Sequence, residues 1–197
     1  MKKILFIGDS IMYGAKGVPG YGYFVKQHFA GSAEVVLPYD NCQDVRYTYQ
    51  FLEELFDLHD IKTANIIHWN NGLWDVLHFA GASNPYTELS LYLTSIENLY
   101  KKLRFLNPTA QIVFATTTFI HEELQTKKSY RCNDEIDEYN RAVIDTFINS
   151  DVRINYLCDK AKEIDSSFIG KDGLHYTAEG ASRLAKYVIE YLSNFVQ

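Results

Sequence analysis

The chain has 197 residues, of which 47% are hydrophobic and 22% charged. This composition is typical of a globular protein and excludes disordered, collagen-like and coiled-coil classes. The 19 basic and 25 acidic residues give a net charge of −6, which argues against a nucleic-acid or anionic-membrane partner. At roughly 150 residues per domain, the length predicts a single domain over residues 1–197.

The cysteine pattern and the N-terminal residues allow a prediction of the cellular compartment. Cys42, Cys132 and Cys158 make an odd number and share no CxxC spacing, so we expect free thiols and neither a disulfide framework nor a structural zinc site. The apolar run at residues 4–7 is too short for a membrane span or for the apolar region of a signal peptide. We therefore expect a cytoplasmic protein without membrane association.

Short apolar runs alternate along the chain with longer helical patterns. The runs predict five strands, at residues 3–7, 34–37, 65–69, 111–117 and 152–156. Apolar residues at three- and four-residue steps predict helices over 86–105 and 136–148, and Thr177 is the predicted N-cap of a final helix. This alternation predicts a three-layer α/β/α, flavodoxin-like fold with an open parallel sheet of about five strands. Ligands bind beyond the carboxyl ends of such strands.

A serine stands directly after the first predicted strand, in Gly8-Asp9-Ser10. At that place it faces the crevice at the carboxyl edge of the sheet and can act as a nucleophile. A turn or a helix cap is the alternative interpretation, because serine and aspartate are both favoured there.

A possible base for this serine lies near the other end of the chain. Asp172 precedes His175 by three residues, a spacing at which a carboxylate can fix the imidazole tautomer and leave the second nitrogen free as a base. A surface turn is the alternative. The two segments support each other, since a serine hydroxyl is a poor nucleophile without an adjacent base.

Two polar loops follow the second and third predicted strands. Acyl transfer builds negative charge on a carbonyl oxygen, and side-chain amides or backbone N–H groups stabilise that charge. Asn70 and Asn71 follow the third strand, and a loop N–H near Gln43 follows the second. A tight turn and an ordinary polar loop are the respective alternatives.

Together these motifs resemble the SGNH (GDSL-type) hydrolases. Gly8-Asp9-Ser10 is similar to the nucleophile block of that family, and Asp172 and His175 match its Asp-x-x-His block. The blocks follow the family order over nearly the whole chain. The resemblance implies a serine esterase in which Ser10 attacks, His175 is the general base and Asp172 orients it.

The middle blocks depart from the family pattern. Gln43 stands where the family places a glycine that donates to the oxyanion hole, and Trp74 stands where it places an asparagine. The segment 69–75 is instead similar to the Trp-x-Gln-Gly-x-x-Asp pattern of a carbohydrate-esterase branch. On that alignment Asn71, rather than Asn70, completes the oxyanion hole with the N–H groups of Ser10 and Gln43.

The predicted reaction is hydrolysis of small O-acyl esters through an acyl-enzyme on Ser10, with O-acetylated carbohydrate as the first expectation for the substrate. The candidate substrate contacts are Asp9, Cys42, Trp74 and Tyr176. We expect no metal and no cofactor, because the remaining histidines lack ligand spacing and no glycine-rich phosphate loop follows a strand.

Two readings from other classes share this fold. A non-catalytic ligand-binding module would keep the crevice but not the turnover, and the missing glycine at Gln43 favours it. A flavodoxin-like flavin carrier or receiver would need a bound flavin or an acidic cluster after the first strand. Asp9 alone does not form such a cluster.

Overall fold

A parallel sheet forms the centre of the computed structural model, which describes residues 1–125 and 128–196. The strands in chain order are β1 (Lys2–Ile7), β2 (Gly14–Ala15), β3 (Val18–Pro19), β4 (Ala33–Val36), β5 (Ile66–Trp69), β6 (His78–Phe79), β7 (Gln111–Ala115), β8 (Ser129–Tyr130) and β9 (Arg153–Asn155). The sheet has the order β4-β1-β5-β7-β9, and every neighbouring pair in it is parallel. The four remaining strands form two antiparallel pairs, β2 with β3 and β6 with β8.

Helices connect the strands of the sheet and cover it. In chain order they are α1 (Ser10–Tyr13), α2 (Tyr21–His28), α3 (Val45–Gln50), α4 (Leu52–Leu55), α5 (Leu58–Thr63), α6 (Leu89–Leu106), α7 (Asn133–Phe147), α8 (Leu157–Ala161) and α9 (Ala178–Val196). Single turns of 3₁₀-helix lie at Glu122–Leu124 and Ser166–Phe168. Helix α2 packs against α9, while α3 packs against α6 and α6 against α7. The predicted three-layer α/β/α class with a five-stranded parallel sheet is confirmed.

The three central strands, β1, β5 and β7, are buried on both faces, as their continuous apolar sequences predict. Residues 4–7 of β1 and the central residues of β7 have no exposed surface, and burying side chains of this size contributes roughly 1.5–3 kcal/mol each. One polar residue, His68, lies within β5. It is fully buried against Phe6, and this burial lowers its pKa to about 3, so its imidazole is a neutral core group.

The ends of several elements differ from the predictions because side chains and loops take the backbone hydrogen bonds. Strand β7 ends at Ala115. Two residues later, the N–H of Thr117 donates to Asn140 Oδ1 and not to a neighbouring strand. The helix expected from residue 86 begins at Leu89, because the N–H groups of Tyr86 and Thr87 are bound to loop carbonyls. The helix expected from residue 136 begins three residues earlier.

None of the helices in residues 1–125 and 128–196 combines the length and the hydropathy that crossing a membrane requires. The cytoplasmic location stays a prediction.

Candidate active site

Ser10 lies at the carboxyl edge of the sheet, as the first residue of α1 directly beyond β1. The preceding Asp9 is the N-cap of this helix, and its Oδ1 accepts from the N–H of Ile11 at 2.9 Å. The helix-cap interpretation therefore applies to Asp9, whereas the Ser10 side chain is left to face the crevice. The N–H of Ser10 belongs to the first helical turn, where such groups have no intrahelical partner.

The structure brings Ser10, His175 and Asp172 together in one hydrogen-bonded chain, which we call the serine triad. Ser10 Oγ lies 2.9 Å from His175 Nε2, and His175 Nδ1 lies 2.9 Å from Asp172 Oδ2. The carboxylate also accepts from the backbone N–H of His175 at 3.0 Å. A hydroxyl, an imidazole and a carboxylate in this order form the arrangement that activates a serine for nucleophilic attack.

A tight loop at residues 170–176 holds the histidine and the aspartate in place. The N–H of Gly170 donates to the carbonyl of His175 at 2.6 Å, and Gly173 has φ +68°, a left-handed value that favours glycine. A Cβ on Gly173 would lie only 2.4 Å from the carbonyl oxygen of His121. Gln125 Nε2 donates to the carbonyl of Asp172 at 2.7 Å, so the segment after β7 braces this loop.

Two opposing effects act on the Asp172 carboxyl. Partial burial raises its pKa, but the hydrogen bonds from the His175 ring and backbone and from Lys16 outweigh burial and hold the pKa well below its ordinary value. Lys16, in the turn between β2 and β3, places its Nζ 3.0 Å from Asp172 Oδ2. Asp172 is thus ionised at neutral pH and can stabilise a positively charged His175.

Asn71 points into the protein and not into the crevice. It is fully buried, and its Nδ2 donates to the carbonyl of Gln43 and to Thr48 Oγ1, both at 2.9 Å. Its Oδ1 accepts from the indole N–H of Trp69 at 2.7 Å. Both amide hydrogens are in use, so this geometry does not fit the expectation that Asn71 donates to an oxyanion.

Asn70, the alternative to Asn71, has a geometry that suits the role better. Its backbone N–H donates to Ile7 at the end of β1, which places it beside the start of the Ser10 segment. Its Nδ2 donates to the carbonyl of Ala115 at 2.8 Å, and an amide nitrogen carries a second hydrogen. The residue keeps 7% of its surface exposed, whereas Asn71 keeps none.

Gln43, which replaces the glycine of the family pattern, has a backbone conformation that favours glycine. It has φ +53°, the left-handed region in which a glycine costs nothing and another residue roughly 1 kcal/mol. The backbone therefore adopts the conformation that suits the family's glycine although the residue is glutamine. Its N–H donates to Asn41 Oδ1 at 2.8 Å, so this predicted oxyanion donor is already occupied.

The predicted substrate contacts divide by burial. Cys42 has no exposed surface, and burial raises the pKa of its thiol to about 12, so Cys42 does not fit as a contact. Asp9 is buried beneath the site, and burial raises its pKa. Tyr176 is largely buried beside His175, and Trp74 is partly exposed.

A small cavity touches the serine and the histidine of the triad. It is lined by Ser10, His175, Tyr176 and the β2–β3 hairpin, and its volume is about 10 Å³. This is room for about one water molecule. On this side of the hydroxyl the site is therefore closely packed.

Sequence reasoning missed two cationic residues at the site. Lys16 contacts Asp172 from a hairpin turn, and Arg131 lies buried close enough to interact electrostatically with Asp9 and Asp172. Neither stands in a motif with the triad, and only the fold brings them there. Over residues 1–125 and 128–196, no three histidine, cysteine, aspartate or glutamate side chains are grouped so as to hold a metal ion.

Comparison with known proteins places the fold. No family model matches the sequence, and no curated protein matches it. Among solved structures, the lipase/acylhydrolase from Enterococcus faecalis superposes with a TM-score of 0.75 at 14% identity, over 99% of this chain and 97% of that one. A carbohydrate esterase family 3 protein from Talaromyces cellulolyticus gives 0.72 at 15% identity, over 100% and 98%. The family 3 carbohydrate esterase from Clostridium thermocellum gives 0.68 at 14% identity, over 99% and 96%.

These matches extend over nearly the whole of each chain, at identities too low to carry more than architecture. The sequence resemblance is thereby confirmed at the level of the fold: the chain has the three-layer α/β/α fold of the SGNH (GDSL-type) hydrolases.

Proposed function

We propose that the protein is a serine hydrolase that cleaves small O-acyl esters, with O-acetylated carbohydrate as its substrate class. The observation that carries this proposal is the unbroken chain of hydrogen bonds from Ser10 through His175 to Asp172. Its three members come from opposite ends of the sequence, so a cap or a surface turn at either end does not explain why they meet.

The triad performs acyl transfer in two steps. His175 Nε2 takes the proton of Ser10 as Oγ attacks the ester carbonyl, and the imidazolium then protonates the leaving alcohol. Asp172 accepts from Nδ1 throughout, and its lowered pKa keeps it ionised while the positive charge on His175 develops. Water attacks the acyl-enzyme by the reverse proton path and releases the acid.

Negative charge on the carbonyl oxygen is stabilised by the N–H of Ser10 and the Asn70 amide. Ser10 N–H lies at the start of α1, and Asn70 follows β5 at the same edge of the sheet. We favour Asn70 over Asn71 because the Asn71 hydrogens are bound to Gln43 and Thr48. The site then has two donors in place of the three usual in the family it resembles.

The acyl group and the sugar are proposed by analogy with proteins of similar fold. Two of the similar structures are named as carbohydrate esterases and another as an acetyl xylan esterase. They support, by analogy of fold, an O-acetylated sugar as the substrate class.

Hydrolysis of p-nitrophenyl acetate by matched serine variants tests the proposal. We expect Ser10→Ala to reduce kcat/KM by at least about 10⁴-fold while its circular dichroism and Tm stay close to those of the parent. Ser90→Ala, at an exposed position on α6, is the control and keeps full activity. Activity retained by Ser10→Ala contradicts the role given to Ser10.

A non-catalytic binding module is the second candidate, and the occupied N–H of Gln43 favours it, since it removes one oxyanion donor. Such a module binds an O-acetylated sugar but releases no acetate from it. Acetate release from acetylated xylo-oligosaccharides or acetylated glucosides, absent in Ser10→Ala, excludes the module.

A further inference from the structure

Arg131 is a buried arginine at the site that the serine triad does not use. Only 9% of the residue is exposed, and its Nε donates to the carbonyl of Leu73, in the loop that follows β5. That loop also carries Asn70, so the guanidinium lies at the carboxyl edge of the sheet where the crevice opens.

The β6–β8 pair and the first turn of α7 hold the backbone around Arg131 in place. It directly follows β8, whose Tyr130 stacks on His78 of β6 with ring centres 4.7 Å apart and planes 13° from parallel. His78 Nε2 lies 2.8 Å from a carboxylate oxygen of Glu135, on α7. The two short strands and the first turn of α7 thus fix the backbone on both sides of Arg131.

The N–H groups on the terminal nitrogens of Arg131 are not engaged in hydrogen bonds with the residues that the structure describes. An arginine has five N–H groups, and within residues 1–125 and 128–196 the side chain forms no ion pair and no hydrogen bond other than the one through Nε. The enclosed side-chain atoms that lack partners do not include those of Arg131. Its terminal nitrogens therefore have contact with solvent and are not sealed in the core.

The charges that face the guanidinium are those of Asp9 and Asp172. Asp9 Oδ2 is enclosed without a hydrogen-bond partner in the described part of the chain, and Asp172 is bound to His175 and Lys16. Both carboxylates act on Arg131 at a distance and leave its hydrogen-bond donors unused. A buried guanidinium is costly to desolvate unless a ligand meets those donors.

We propose that Arg131 binds a carboxylate of the substrate, so that the preferred esters are O-acetylated acidic sugars such as uronic acids. This inference rests on the proposed esterase function and names the substrate class of the same site. A planar guanidinium with two open nitrogens matches the two oxygens of a carboxylate.

The test compares methyl glucuronoside and methyl glucoside that carry one acetyl group on the same hydroxyl. We expect the wild type to bind and hydrolyse the acidic sugar better, and Arg131→Met to raise its KM by about 10- to 100-fold with the neutral sugar changed by less than about threefold. Arg131→Lys, which keeps the charge, retains part of the preference. Arg141→Met, at an exposed position on α7, is the control and changes neither substrate.

A binding measurement separates this inference from the esterase proposal. Calorimetry with the Ser10→Ala chain measures binding of both sugars without turnover, and we expect tighter binding of the glucuronoside, lost when Arg131→Met is added. Absence of acetate release by the wild type contradicts the esterase proposal alone. Equal affinity of Ser10→Ala for both sugars, or an equal loss of both in Arg131→Met, overturns the role of Arg131. The comparison of the two sugars in Ser10→Ala does not depend on whether Arg131→Met folds.

Discussion

The two walls of the crevice are built in different ways. On one wall, Asp172 and His175 lie in a single short loop whose own hydrogen bonds orient them, so the motif and the geometry coincide. On the other wall, Asn70 and Asn71 are adjacent in sequence but differ in surroundings: Asn70 keeps 7% of its surface exposed and one side-chain bond, to Ala115, whereas Asn71 is fully enclosed and bound to Gln43, Thr48 and Trp69. A local motif identifies the role of a residue when hydrogen bonds within the motif orient the side chain. It fails to do so when contacts with distant segments orient the side chain.

The largest effect is expected on the first wall. His175→Ala removes the base and leaves Ser10 without a proton acceptor, so kcat falls by about 10⁴-fold or more with KM little changed. Steady-state hydrolysis of p-nitrophenyl acetate measures it. His59→Ala, an exposed histidine on α5, is the matched control. A loss of less than tenfold in His175→Ala contradicts the assignment of the base.

The second wall is tested by Asn70→Ala. Removing one oxyanion donor costs about 10²- to 10³-fold in kcat, and because Asn70 makes one side-chain hydrogen bond, to Ala115, the variant stays folded. Kinetics and thermal unfolding are measured on the same sample. Unchanged kcat would return the oxyanion role to another group.

Asn71→Ala sharpens the contrast between the two asparagines, because its main effect is on stability. The variant leaves the indole N–H of Trp69 in the interior without its acceptor and the carbonyl of Gln43 without the donor from Asn71, and an unsatisfied buried group costs roughly 1–3 kcal/mol. We expect a lower denaturation midpoint and a smaller loss of kcat than in Asn70→Ala. A larger kcat loss in Asn71→Ala than in Asn70→Ala reverses the assignment.

The smallest effect concerns the pH dependence of stability through Asp172. Its pKa is lower in the folded chain than in the unfolded chain, so its stabilisation is complete above about pH 5 and is lost as the pH falls through the folded pKa. Since 32% of the side chain is exposed, the gain is about 1 kcal/mol or less. The Tm gap between the parent and Asp172→Asn is larger at pH 7 than at pH 3. An equal gap at both values contradicts this.

The same contrast explains what the sequence could predict. The central strands were predictable because both of their faces are buried, which leaves continuous apolar runs. The ends of the strands were harder to predict, because the backbone N–H of Thr117 donates to a side chain of α7 and does not extend β7. Ser10, Asp172 and His175 stand in short motifs, and their meeting follows from the parallel sheet.

The remaining site features depend on contacts between distant segments. The inward orientation of Asn71 is set by its bonds with Gln43, Thr48 and Trp69, and no spacing rule predicts the contacts with Gln43 and Thr48. Arg131 stands in no motif in the sequence, and in the fold it is a buried cation that follows β8 and binds the carbonyl of Leu73.

The central claim, that the Ser10 hydroxyl is the nucleophile activated by His175, is tested most directly by covalent labelling. A serine-reactive fluorophosphonate is incubated with the intact protein, and the added mass is measured and mapped by peptide sequencing. We predict one label per chain, located on Ser10, and none in Ser10→Ala or His175→Ala. A label on another residue, or equal labelling of His175→Ala, would contradict the account.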